Sequence, residues 1–107
     1  MNSEMLICLV LLLISGVYYF FQPKKINRFY GYRSSKSMKN LSNWQYSNRL
    51  AAIVLFWIAL FNSIFVSVIF LLGGSLNKNM FGIFLIAQFV FMFFYIERKI
   101  GEYEKKL

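Results

Sequence analysis

PKKINRFYGYRSSKSMKNLSNWQYSNR, residues 23–49, is the one long polar segment in a 107-residue chain whose other runs are apolar. It carries Lys24, Lys25, Arg28, Arg33, Lys36, Lys39 and Arg49, seven of the chain's twelve basic residues, with no acid and with the only proline. Outside it the charges nearly vanish. None lies between Glu4 and Lys24, between Arg49 and Lys78, or between Lys78 and Glu97. At 1.5 Å per residue each interval is long enough for a helix to cross about 30 Å of hydrocarbon.

A composition of 59% hydrophobic and 21% aromatic residues exceeds what one domain of this size hides in its own core, so the excess faces lipid. The apolar runs are continuous and do not alternate, which weighs against the dyad pattern of a transmembrane barrel. The sequence therefore predicts a single all-α membrane domain, residues 1–107. Three transmembrane helices at 5–21, 50–72 and 80–96 are joined by a basic loop at 22–49 and a short link at 73–79, with a tail at 97–107. A signal peptide is disfavoured, because Glu4 precedes the first run and Tyr18, Tyr19, Phe20 and Phe21 follow it where basic and small residues are expected.

Basic residues orient the bundle. With the loop cytoplasmic, every Lys and Arg except Lys78 lies inside, which puts the N-terminus outside and the C-terminus in the cytoplasm. The tyrosines and Trp44 cluster on that same side, as an interfacial aromatic belt would. A net charge of +8 suggests nucleic acid in a soluble chain, but here an anionic membrane surface is the nearer partner, and no nucleic-acid partner is expected.

Within the loop, Pro23 ends the first helix and Gly31 offers a sharp turn. Ser42 through Gln45 fits a capping box, which starts the second helix near Asn43. Gly73-Gly74-Ser75 and the asparagines after it make a short link that forces the second and third helices to be antiparallel neighbours. The mixed-charge tail extends the third helix briefly and then frays, its glutamates serving as solvated partners for Lys and Arg.

Asn62 and Gln88 sit near the middle of their spans at similar depth and are expected to face each other or a common neighbour, as packing glue in preference to an ion or ligand site. Ala59, Ser63 and Ser67 form a small-residue stripe that allows close approach. A homo-oligomer is allowed, since a three-helix unit exposes much of its small-residue surface. No charged side chain sits at membrane depth, against a proton-coupled exporter. With no histidine and a lone Cys8, the usual zinc spacings and any internal disulfide are absent. No catalytic residue, metal or cofactor is expected, because the loop holds neither carboxylate nor imidazole to act as a base.

Pro23, Asn27, Tyr30-Gly31-Tyr32-Arg33, Ser37-Met38, Trp44 and Asn48 together resemble the signature of the SdpI family of bacterial membrane proteins. Ser34 and Ser47 replace the threonine and alanine usual in that family. The resemblance implies immunity against a secreted peptide toxin, coupled in the founding system to membrane sequestration of a transcriptional repressor. Better-known members carry additional N-terminal transmembrane helices that this sequence lacks, so it is a short form keeping immunity, signalling or neither.

The candidate binding residues are Asn27, Tyr30, Gly31, Tyr32, Arg33, Trp44 and Asn48, with Asn62 and Gln88 as intramembrane polar groups. Arg33 would hold a carboxylate or phosphate bidentately between the rings of Tyr30 and Tyr32. Asn27 and Asn48 would tie the loop's start to its end, and Trp44 would anchor the second helix at the interface. Two other classes stand beside immunity: a membrane enzyme or transporter acting on lipid headgroups or small anions, and an accessory subunit of a larger complex.

Overall fold

Each apolar interval folds as one helix in the computed structural model, which describes residues 3–106: α1 Ser3–Phe20, α2 Leu41–Leu71 and α3 Lys78–Lys106. Met1, Asn2 and Leu107, the ends of the domain read from the sequence, lie outside the described residues. All three helices are long and apolar enough to cross a membrane. Helices suit that medium because every backbone donor finds its acceptor four residues away, with no water required. Large side chains such as Leu13, Phe91 and Leu71 point outward and exposed, as lipid-facing positions do.

Two of the helices, α2 and α3, outrun the hydrocarbon. At about 1.5 Å per residue, the 31 residues of α2 span more than 40 Å, so its first turns stand clear of the apolar layer. The cap is not the box at Ser42 to Gln45. Asn40, in extended conformation, accepts the Asn43 amide at 2.8 Å, and the helix starts at Leu41. Ser42 spends its hydroxyl on Tyr103 at 2.5 Å.

That contact also explains a second departure, for the tail does not fray and α3 runs on to Lys106. Tyr103 stacks on Tyr46 with centroids 4.3 Å apart, and Asn43 Nδ2 donates to Glu104 Oε1 at 2.8 Å. Ile96 and Ile100 are fully buried. Tertiary partners hold the extra turns of both helices, which helix propensity alone would leave marginal. Of the tail's acids, Glu102 sits with Arg98 and Lys99 as a solvated partner, whereas Glu104 and Glu97 bind α2 and the loop.

At the opposite end α2 closes in a Schellman turn. Gly73, at φ +79°, donates to Phe70 O and Gly74 to Ile69 O, while Asn77 caps α3 through the amides of Asn79 and Met80. The short link makes α2 and α3 neighbours, and α1 packs on α2 as well, leaving α2 central. Ala51, Ala52 and Ala59 are fully buried on it, which brings helix backbones close. Tyr18, Ala51, Ala52, Ile96 and Ile100 form a core beneath the loop, and Cys8, Val66 and Phe81 form another near the link.

Between these cores Asn62 Nδ2 donates to Gln88 Oε1 at 2.8 Å and to Ile58 O at 2.8 Å. The two amides therefore face each other as their depth predicts. The Asn62 amide oxygen is buried without a partner among the described residues, which offsets part of the gain. A double-mutant cycle of Asn62→Leu and Gln88→Leu, followed by unfolding in mixed micelles, is expected to show a coupling of about 0.6 to 1.7 kcal/mol. Additive losses would mean that the pair does not hold α2 to α3.

Candidate functional site

Proline ends α1 chemically, since it has no N–H to continue the helix. The chain turns at Pro23, and its carbonyl is taken by the indole of Trp44 at 2.8 Å. Four residues later an Asx turn forms: Asn27 Oδ1 accepts the amides of Phe29 and Tyr30, and its Nδ2 donates to Lys25 O. Gly31 follows with φ +106°, a conformation costly for any residue with a Cβ. A Cβ there would also lie 2.6 Å from both Asn48 Oδ1 and Pro23 Cγ.

This reversal delivers Tyr32 to Asn48. Asn48 Oδ1 accepts the Tyr32 amide at 2.8 Å and the Tyr18 hydroxyl at 2.5 Å. Its Nδ2 donates to Trp44 O at 2.9 Å and to Tyr32 O at 3.3 Å. One buried amide thus clasps α1, the loop and α2 together. Ser34 and Ser37 then exchange reciprocal hydroxyl and amide bonds, with Ser37 fully buried, and Ser34 Oγ donates to Glu97 Oε2 at 2.9 Å to fasten the loop to α3. Burial first, and then the Glu97 carboxylate, push the Tyr32 phenol up from its ordinary value, so it remains a neutral donor.

Several sequence expectations change here. Trp44 is not an interfacial belt residue: it is fully buried, because the Pro23 carbonyl gives its N–H an acceptor inside the protein. Asn48 does tie the loop to the second helix, but through Tyr32, while Asn27 spends its amide locally. The rings of Tyr30 and Tyr32 do not sandwich Arg33. Tyr30 lies edge-on to Tyr18, and Tyr32 lies against Phe93. The cation–π contact that does form is Lys99 over Tyr95.

Arg33 is exposed and donates Nη1 to the Arg28 carbonyl. Around it Lys24, Lys25 and Arg28 are exposed, and Phe29 stands 92% exposed. Chemically, the loop offers a cationic surface with one projecting aromatic ring on a hydrogen-bonded support. No cluster of three metal-ligating side chains occurs among the described residues.

Tyr18, Ser37, Asn43, Glu97 and Glu104 were not singled out as site residues from the sequence. The phenol of Tyr18 was the available signal, since a hydroxyl in an apolar run needs a partner.

The model of the SdpI/YfhL protein family matches residues 24–96. The chain belongs to the SdpI family. The match takes in all of the residues that carry the resemblance except Pro23, and continues through α2 and the apolar run of α3. Together with three membrane-length helices, it makes the chain a multi-pass membrane protein of SdpI type. No curated protein and no solved structure matches it. The α1 helix, which supplies Tyr18 to the SdpI loop, precedes the matched residues.

Gly31→Ala is expected to lower stability by at least about 2 kcal/mol, from the unfavourable φ and the contact with an Asn48 oxygen already held by two donors. Gly16→Ala, where a Cβ meets nothing within 4 Å, is expected to be neutral or to stabilise by up to about 1 kcal/mol. Unfolding both variants in the same detergent checks the difference.

Proposed function

We propose that this chain is an immunity or signal-reception protein of the bacterial cytoplasmic membrane, with its basic loop and C-terminus in the cytoplasm and its N-terminus outside. The observation that carries this reading is the SdpI match from Lys24 in the loop through α2 and the apolar run of α3. The geometry agrees with a receptor more than with a catalyst. The signature residues Pro23, Gly31, Tyr32, Ser37, Trp44 and Asn48 are spent on internal bonds and close contacts, and they hold Arg28, Phe29 and Arg33 outward on a fixed support. A support of that kind lowers the ordering cost of binding.

The ligand of this face is a lipid, or the toxin peptide or regulator that the family resemblance implies. Arg33 contributes through its guanidinium, whose remaining donors suit a carboxylate or a phosphate. Catalysis has little to work with: the loop has no acid or imidazole, and Glu97 is engaged by Ser34.

Expressing the full chain in a toxin-sensitive bacterium tests the reading. Cells carrying the parent are expected to survive, and those carrying Arg33→Lys at equal protein level to lose most of that protection. Protection by Arg33→Lys equal to the parent would remove the bidentate role, and no protection by the parent, with lipid turnover instead, would favour a headgroup enzyme. Orientation has its own check. A cysteine at Lys36→Cys in a Cys8→Ala background is expected to resist membrane-impermeant maleimide in intact cells and to react after permeabilisation.

A further inference from the structure

Lys24 and Arg49 are the first charged residues met on leaving the apolar intervals of α1 and α2, so they stand where hydrocarbon ends. They line one groove of about 630 Å³, with Gln22, Gln45 and Tyr19 completing its polar lining. Among the described residues neither cation has an acid to neutralise it. The Glu97, Glu102 and Glu104 carboxylates are engaged by Ser34, by Arg98 and Lys99, and by Lys39 and Asn43, and Glu4 lies at the far end of α1.

A helix C-terminus would ordinarily oppose an anion here, because its last carbonyls are unpaired. Here part of that polarity is taken up. The Phe21 N–H donates to Val17 O and Gln22 Nε2 to Tyr19 O, and just beyond the helix the Tyr30 hydroxyl donates to Phe21 O and the Trp44 indole to Pro23 O. Two full cations, Lys24 and Arg49, outweigh the roughly half-charge of a helix end.

The same groove continues toward the membrane interior. Tyr19 and Phe20 form a wall shared with a second cavity of about 340 Å³, lined by Gly16, Ile53, Phe56 and Trp57 and bare of charge. Gly16 leaves space in it, since a Cβ there meets nothing within 4 Å. On α2, Gln45, Arg49, Ile53 and Trp57 follow at four-residue spacing, so a single helix face passes from polar to apolar as it enters the bilayer.

We infer that this two-part groove between α1 and α2 is a binding site for one anionic phospholipid, its phosphate held by Lys24 and Arg49 and an acyl chain lying past Gly16 against Trp57. A phosphate diester carries charge and an acyl tail in the order in which the groove presents cations and apolar wall. A free phosphate uses only the upper half. The site requires a bilayer around the helices and is independent of whether the chain confers immunity.

The test uses the full chain in phosphatidylcholine nanodiscs, titrated with phosphatidylglycerol and read by native mass spectrometry of the released protein. One phosphatidylglycerol is expected to be retained in preference to phosphatidylcholine. Lys24→Gln with Arg49→Gln should weaken that retention about thirtyfold, as two lost phosphate contacts imply, while the charge-matched pair Lys25→Gln with Arg28→Gln should change it less than about twofold. Gly16→Leu, which fills the apolar half, should weaken it as well.

Equal weakening by the two charge-matched pairs would reduce the site to diffuse surface charge and overturn the proposal. So would full displacement of the lipid by glycerol phosphate at equal concentration, which would identify a free-phosphate site. Retention unchanged in the Lys24 and Arg49 variant would remove the site altogether.

Discussion

The Asn48 side chain is the joint on which the loop end of this molecule is built. It lies at the edge of the apolar layer, almost wholly buried, where an unpaired amide is costly and a paired one is strong. Its oxygen takes one donor from α1 and one from the loop, and its nitrogen returns two bonds to α2 and the loop. The turn at Gly31 exists to make that meeting, and the Trp44 indole beside it closes the path of the chain after Pro23. A polar loop of twenty residues can stay ordered on a lipid-facing bundle because so many of its donors and acceptors converge on these few side chains.

Much of this was legible in the amino-acid order. Charge-free intervals located the three helices, because hydrocarbon tolerates nothing else, and depth along two antiparallel spans brought Asn62 to Gln88. The sharp turn at Gly31, made at positive φ, followed from its place between two tyrosines in a polar segment. Trp44 was misread because an indole near a membrane edge suits a belt and a core equally by composition, and only the Pro23 carbonyl, twenty-one residues away, decides between them. The start of α2 and the length of α3 were misjudged for a related reason. Ser42 and Asn43 look like local capping material until the far end of α3 brings Tyr103 and Glu104 against them and stacks Tyr103 on Tyr46. Contacts across sixty residues leave no mark in any short window.

A division of labour runs through the SdpI signature. Residues with shape or directional bonding face inward and make the clasp, while Arg28, Phe29, Arg33 and the neighbouring lysines face outward. Substitutions among the inward group loosen the support, and substitutions among the outward group leave it standing. The two small replacements at Ser34 and Ser47 fit that division. Ser34 still supplies the hydroxyl that reaches Glu97, and Ser47, buried on α2, returns its hydroxyl to Trp44 O.

The central helix has a mechanical consequence. From Leu41 to Leu71 it contains neither proline nor glycine, so it has no hinge of its own. Its first turns sit under the loop and its last turns pack with Cys8 and Phe81 on the other side of the bilayer. A displacement at either end of such a helix is carried along it as a tilt of the whole rod, since no bend within it can absorb the motion.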